Sequence, residues 1–370
     1  MSNERVVFRV DASLQIGSGH VMRCVTLADE LRSIGYLCEF ICRSHPGNLI
    51  DYVESRGFRV YSLPIHDVNQ ETPLDGSELP VHAHWIGTDW NTDAAECSNL
   101  LRLQPTDWLI VDHYGLDARW EEEVGKFCNR LFVIDDLADR AHSCAFLLDQ
   151  NLGRDESDYS DLVPESCIVK TGAQYALLRP EFAKLRGVSL KNREEATLHR
   201  VLITMGGVDQ PNATGTILEA LKLCDLPVES RITVVMGATA PWLKEVQGLA
   251  KSVPWPVDVI VNTSNMAALM AESDLAIGAA GSTSWERCCL GLPSIVVCLA
   301  DNQVKVIGEL EKANAAIAID LQQISDGSGQ TLNRYLKKIQ ERMAFYISAA
   351  KAVTDGRGTQ RVVEQIRSLS

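Results

Sequence analysis

The stretch Val6-Val7-Phe8-Arg9-Val10-Asp11-Ala12-Ser13-Leu14-Gln15-Ile16-Gly17-Ser18-Gly19-His20-Val21-Met22-Arg23 decides the fold. A β-branched run ends at Val10, a polar loop carries two glycines, and a helix is predicted to begin near His20. Val21, Cys24, Val25 and Ala28 fall at the i, i+3, i+4, i+7 spacing of a core-facing stripe. Strand, glycine loop and helix form the repeating step of α/β proteins. Gly17 and Gly19 let backbone approach a phosphate or a sugar closely. The pattern stops short of GxGxxG because residue 22 is Met, so a plain strand–helix turn stands beside the ligand-loop reading. His20 lies off the centre of the stripe, in the first helical turn, where a neutral ring is placed to accept a proton. An incidental histidine is the alternative.

Working outward, the same step recurs. Apolar runs in the first half are Val6–Val10, Leu37–Cys42, Val60–Leu63, Trp108–Val111, Leu131–Ile134 and Phe146–Leu148. The second half has Val201–Met205, Ile232–Met236, Val257–Val261, Leu275–Ile277, Ile295–Leu299 and Ala316–Ile319. Most lack alternation, as expected of parallel strands covered on both faces. The stretch RGVSLKNREEATLHR, residues 186–200, is charged and aperiodic and reads as a linker. The expected fold is α/β with two Rossmann-like domains facing across a cleft. Residues 1–185 form the first, residues 200–350 the second, and residues 351–370 a tail. Ligands of such sheets bind at the carboxyl ends of the strands. Leu332–Val353 reads as one long amphipathic helix.

Further strand ends carry polar loops. Leu275-Ala276-Ile277-Gly278-Ala279-Ala280-Gly281-Ser282-Thr283-Ser284-Trp285-Glu286 repeats the step in the second half. Its hydroxyls and backbone N–H groups suit an anion, and Glu286 suits a ribose diol. Thr283-x-x-Glu286 also reads as a capping box, which needs no ligand. Leu202–Asn212 runs a strand into Gly206-Gly207, a wall for a pyrophosphate or a tight turn. Asp301-Asn302-Gln303 follows another strand and offers carboxamides to sugar groups, although Asx turns use the same residues. Asp112-His113-Tyr114 follows a buried strand. Asp135-Asp136 follows another, as a solvated loop at least as readily as a metal site.

Composition narrows the function. Forty-nine acidic against 35 basic residues give a formal net charge of −14, which argues against nucleic acid or anionic lipid as a partner. No apolar run approaches the ~20 residues of a membrane-spanning helix, and the start lacks the pattern of a secretory signal. The eleven cysteines contain no CxxC and read as buried reduced thiols of a cytoplasmic protein. No metal and no cofactor are expected, and the oligomeric state is left open. His66–His84 reads as an insertion or a mobile loop. The segment around Trp85 and Trp90 lines the first-half side of the cleft or packs its loop onto the core.

Asp11-Ala12-Ser13 through Gly17-x-Gly19-His20-x-x-Arg23, with Gly281-Ser282-Thr283-x-Trp285-Glu286 and Asp301-Asn302-Gln303, resembles the UDP-2,4-diacetamido-2,4,6-trideoxy-β-L-altropyranose hydrolase family of pseudaminic acid biosynthesis. That family is related in fold to the GT-B glycosyltransferases, including the N-acetylglucosaminyltransferase of peptidoglycan synthesis. The resemblance implies inverting, metal-independent hydrolysis of a UDP-sugar at C1. His20 would activate water. Asp11, Gly17, Gly19, Arg23, Tyr114, Asn302 and Gln303 would surround the sugar. Gly207, Met266, Gly281, Ser282, Thr283 and Glu286 would hold UDP, with Met266 near the uracil. A glycosyltransferase and a non-enzymatic UDP-sugar-binding protein are the alternatives.

Overall fold

Seven β-branched runs of the first half pair as one parallel sheet: β1 (Arg5–Val10), β2 (Leu37–Arg43), β3 (Arg59–Leu63), β4 (Trp108–Asp112), β5 (Arg130–Ile134), β6 (Phe146–Asp149) and β7 (Ile168–Thr171). Their order is β3-β2-β1-β4-β5-β6-β7. The computed structural model describes residues 4–66, 78–195, 197–299, 303–324 and 329–369. All six residues of β1 are buried, because α1 (Gly19–Ser33) and α2 (Ile50–Ser55) cover one face of the sheet and α3 (Trp90–Leu101) and α4 (Ala118–Val124) the other. The stripe Val21, Cys24, Val25 and Ala28 of α1 is buried with Phe8 and Phe40. Only β7 escaped the reading of the sequence. It is a four-residue edge strand, too short to show a period.

The second unit begins with α5 (Pro180–Asn192) and holds six parallel strands: β8 (Arg200–Thr204), β9 (Arg231–Met236), β10 (Val257–Val261), β11 (Leu275–Ala279), β12 (Ser294–Val297) and β13 (Ala316–Ile319). Their order is β10-β9-β8-β11-β12-β13. Between and after them run α6 (Ala213–Leu221), α7 (Leu243–Ala250), α8 (Met266–Glu272), α9 (Thr283–Cys289), α10 (Val304–Lys312), α11 (Leu321–Ile324), α12 (Gln330–Glu341) and α13 (Met343–Val353). The last element, α14 (Gly358–Leu369), rejoins the first unit.

In both sheets the strand order reverses beside the first strand. Val10 pairs with Asp112 across β1 and β4, and Thr204 with Gly278 across β8 and β11. At such a switch point the loops leaving two neighbouring strands diverge and leave a crevice at their carboxyl ends. The segments 11–18 and 113–117 border the crevice in the first unit, and 205–212 and 280–282 in the second.

Three boundaries differ from expectation. The units are residues 1–177 with 358–370, and residues 178–357. The charged stretch after Leu185 is no linker. Residues 180–192 are helical, and its arginines satisfy helix-end carbonyls. Arg186 donates to the carbonyls of Cys289, Thr354 (2.9 Å) and Lys351 (2.7 Å), and Arg193 to those of Met270 and Ser273 (2.6 Å each). Nor are residues 351–370 a tail. Val362, Val363 and Ile366 of α14 are buried in the first unit's core with Leu31 and Leu177. The expected long helix over Leu332–Val353 is two helices, broken at Arg342.

Candidate functional site

The first unit gathers a hydrogen-bonded chain of five side chains at its switch point. His20 Nδ1 lies 2.6 Å from Asp112 Oδ1. Arg23, one turn along α1, grips the same carboxylate with two N–H groups, Nε to Oδ2 and Nη2 to Oδ1, at 2.6 Å each. Such bidentate pairs are strong and fix geometry. Its Nη1 donates to Asp136 Oδ2 at 2.6 Å, and Tyr114 Oη donates to the same oxygen at 2.6 Å. The Tyr114 ring meets the His20 ring edge-on, centroids 4.5 Å apart. Trp85 stacks on Tyr114 at 5.8 Å, and His82 lies 4.3 Å from Trp85.

This chain decides the imidazole's tautomer. Burial alone would raise the Asp112 carboxyl, but Arg23 foremost and then His20 overcome it and hold it well below the usual carboxylate range. An ionised carboxylate only accepts hydrogen bonds, so Nδ1 carries the proton. Nε2 is the ring nitrogen left open, with no hydrogen-bond partner among the described residues. The arrangement is that of a base held by a carboxylate orienter. Burial, then Asp136, pushes the Tyr114 phenol well above its usual range, so it remains a donor.

Beneath this chain lies a second ionic layer. Asp11 has a fully buried side chain, 2.7 Å from Arg9 and accepting from the Arg43 backbone N–H at 2.6 Å. Its other oxygen faces His113 Nε2 at 3.4 Å and His45 Nε2 at 3.7 Å. His113 Nδ1 accepts from the Gly115 N–H at 3.0 Å, so its Nε2 bears hydrogen and points a donor at Asp11. A ring so committed is no metal ligand. Among the described residues no group of three or more His, Cys, Asp or Glu side chains is arranged to hold a metal.

The expected sugar-side residues therefore separate. His20 and Tyr114 come together at the crevice. Asp11 and Arg23 are taken up by partners within the protein. Asp11 is closed to solvent and Arg23, 7% exposed, spends its guanidinium on carboxylates, so both position the loop and the base. Gly17, at φ +79°, pairs with Ser13 to close the loop, a conformation favouring glycine. Gly19 opens α1. Gln303 turns its Oε1 to the Leu299 N–H at 3.0 Å. Asn302 lies outside the described residues. The sequence pattern does not show Asp112 as the partner of His20, nor Asp136 as that of Arg23 and Tyr114, although an Asp ending the strand beside β1 is a usable signal. Asp135 is no solvated loop residue either. It is buried and bound by Arg140 at 2.8 Å and Tyr159 at 2.9 Å.

In the second unit, the loop Ala280-Gly281-Ser282 passes from β11 into α9. Ser282 is the helix cap yet makes no side-chain capping bond, so the capping box expected of Thr283 and Glu286 is not formed. The Ser282 and Thr283 hydroxyls have no partner among the described residues. Glu286 is mostly buried, 3.5 Å from Arg179, and burial pushes its carboxyl up to about 7 against that arginine. Gly207 O, in the exposed loop after β8, accepts from the Gly237 N–H at 3.1 Å. Met266 opens α8, half-exposed.

Comparison with known proteins follows this geometry. Residues 200–366 match the glycosyltransferase family 28 C-terminal domain. The chain is similar to the UDP-2,4-diacetamido-2,4,6-trideoxy-β-L-altropyranose hydrolase of Campylobacter jejuni, 28% identical over 299 residues that span 81% of this chain and 93% of that one. In fold it resembles the MurG of Acinetobacter baumannii, with TM-score 0.69, 16% identity and 99% of each chain covered. It also resembles a Neisseria meningitidis UDP-GlcNAc 2-epimerase bound to UDP-GlcNAc, with TM-score 0.61, 16% identity, 98% of this chain and 99% of that one. The fold is GT-B-like, with two parallel-sheet α/β domains. No helix among the described residues is long and apolar enough to cross a membrane.

Proposed function

We propose that this chain, whose second unit carries a family 28 glycosyltransferase domain, hydrolyses UDP-2,4-diacetamido-2,4,6-trideoxy-β-L-altropyranose to UDP and 2,4-diacetamido-2,4,6-trideoxy-L-altrose. That places it in pseudaminic acid biosynthesis, acting in the cytoplasm without a metal. The observation that carries the reading is the His20–Asp112 pair, 2.6 Å apart at Nδ1 with Nε2 unpartnered among the described residues. The similarity to the Campylobacter hydrolase supports this choice of substrate.

The chemistry balances with water alone. His20 Nε2 takes a proton from water as its oxygen bonds to C1. The bond from C1 to the phosphate oxygen breaks on the opposite face, its electron pair leaves with UDP, and C1 inverts. Imidazolium forms against Asp112, whose negative charge stabilises it. The proton later passes to solvent. UDP is a good leaving group, so no strong acid is required at the bridging oxygen. The Ser282 and Thr283 hydroxyls and neighbouring N–H groups meet its charge, and Glu286 accepts from the ribose diol.

A second reading, transfer of the sugar to an acceptor hydroxyl, is favoured by the family 28 domain. The same base would deprotonate that hydroxyl. The test is UDP release in water from the diacetamido altrose nucleotide and from UDP-N-acetylglucosamine, with EDTA present, for the native chain and His20→Asn. Release from the altrose nucleotide alone, lost ~10²–10⁴-fold in the variant, is the expected result. Binding without release overturns hydrolysis in favour of transfer or mere binding. Loss with EDTA overturns the metal-free mechanism.

A further inference from the structure

Among the buried arginines of the described residues, two have no carboxylate within 4.0 Å, Arg193 and Arg287. Arg5 meets Glu39, Arg9 meets Asp11 and Asp93, Arg23 meets Asp112 and Asp136, and Arg43 meets Asp93 and Glu96, each within 2.7 Å. Arg193, also buried, spends its N–H groups on helix-end carbonyls. Arg287 is 1% exposed and has no carboxylate within 4.0 Å among the described residues. Its Nη2 donates to Ala279 O and to Ser284 Oγ, at 2.9 Å each. Those residues are the two ends of the loop that carries Gly281 and Ser282. Its Nε and Nη1 are buried with no hydrogen-bond partner. Room for the guanidinium exists because residue 278 is glycine, where a Cβ would stand 2.4 Å from Nη1.

A buried charge without a partner is costly. Here it sits directly beneath a loop whose two hydroxyls are unpartnered. We propose that Arg287 is the fixed positive charge that selects a diphosphate at this loop: a positioning residue that ties the loop's two ends together and attracts the ligand's anionic oxygens from below without touching them. It deepens the reading of this loop as the site of the UDP phosphates and rests on it. The loop therefore needs no surface lysine or arginine. The affinity it confers grows with the negative charge of the ligand.

The test measures affinity for uridine, UMP and UDP in the native chain, in Arg287→Gln and in Arg287→Lys, with thermal melts to establish the folded fraction. Gln keeps a donor for Ala279 O but no charge, and Lys keeps the charge. The expected result is UDP affinity down ~10-fold or more in Gln, uridine within about twofold, UMP between them, and most of the loss recovered in Lys. Parallel weakening of uridine and UDP would overturn the proposal and leave Arg287 a packing residue, as would no change in either. The native chain gives an independent measurement. From about 0.1 to about 1 M salt the Debye length falls from ~10 to ~3 Å, and attraction by a buried charge keeps the UDP-to-uridine preference. Collapse of that preference would assign it to exposed cations and overturn the proposal. A native chain that binds no UDP overturns the nucleotide reading itself, which is a separate outcome.

Discussion

His20 Nδ1 and Asp112 Oδ1 lie 2.6 Å apart although 92 residues separate them in the chain. The strand order makes the contact. β1 feeds α1, and β4 returns beside β1 with Val10 opposite Asp112, so the first turn of the helix and the end of the neighbouring strand share one crevice. Asp112→Asn removes the charge that fixes the tautomer and stabilises imidazolium, and leaves Arg23 with Asp136 alone. Turnover is expected to fall ~10²-fold or more, with UDP affinity unchanged because the loops proposed to hold the nucleotide belong to the second unit. Stability is expected to fall by ~3–5 kcal/mol, the usual cost of breaking a buried ion pair. Single-turnover kinetics and urea titration read the two effects separately.

Glu286 gives a pH signature. Burial raises its carboxyl to about 7, so it is ionised above that pH and protonated below. In the role proposed for it at the ribose, only the ionised form accepts from both hydroxyls. UDP affinity is therefore expected to weaken as pH falls through about 7, and to lose that step in Glu286→Gln. Calorimetric titration of UDP between about pH 5.5 and 8.5 measures it. An unchanged step in the variant would assign it to another group.

Acid stability follows from the buried carboxylates. Asp11, Asp93, Asp112 and Asp135 are all held below the usual carboxylate range, because their arginine and histidine partners overcome the effect of burial. The unfolded chain binds protons to these groups near pH ~4 and the folded chain only at lower pH, so their contribution is fully present above ~4 and lost as pH falls below it. Asp149 acts in the opposite direction. Burial, then Asp136, raises it to about 7, so between ~4 and about 7 the folded chain holds a proton that the unfolded chain has released, and stability falls as pH rises through that window. Thermal melts from about pH 2.5 to 8.5 are expected to show a steep fall as pH drops below ~4 and a shallow decline as pH rises from ~4 to about 7, levelling off above it, the second diminished in Asp149→Asn.

Twelve of the thirteen strands were legible because buried parallel strands are short continuous apolar runs, and the glycine loops at 17–19 and 278–282 mark their carboxyl ends. The placement of His20, Tyr114 and Glu286 beside strand ends was legible for the same reason. The roles of Arg23 and Asp11 were not. Both look polar and ligand-facing in a loop-and-helix pattern, and only the approach of β4 and β5 shows that Asp112 and Asp136 take up Arg23, while Arg9 of β1 itself takes up Asp11. Arg186 and Arg193 misled in the same way. Charged residues in an aperiodic stretch suggest solvent, whereas here they close the open ends of buried helices, a role with no local signature.

Tyr114 separates positioning from chemistry. Its hydroxyl donates to Asp136 at 2.6 Å, and its ring sits edge-on to His20 at 4.5 Å. Tyr114→Phe keeps the ring and deletes the donor, leaving Asp136 with Arg23 and the Asn151 amide, 3.3 Å away. A lost hydrogen bond to a charged acceptor costs ~1.5–3 kcal/mol, and Tyr114→Ala adds loss of the ring that holds the imidazole in place. If the ring orients the base, Phe retains most of the turnover and Ala loses it to nearly the level of His20→Asn. If the hydroxyl itself touches the sugar, Phe raises KM for the sugar nucleotide while UDP affinity stays constant. Comparing kcat and KM across the two variants, beside UDP binding, decides between these roles.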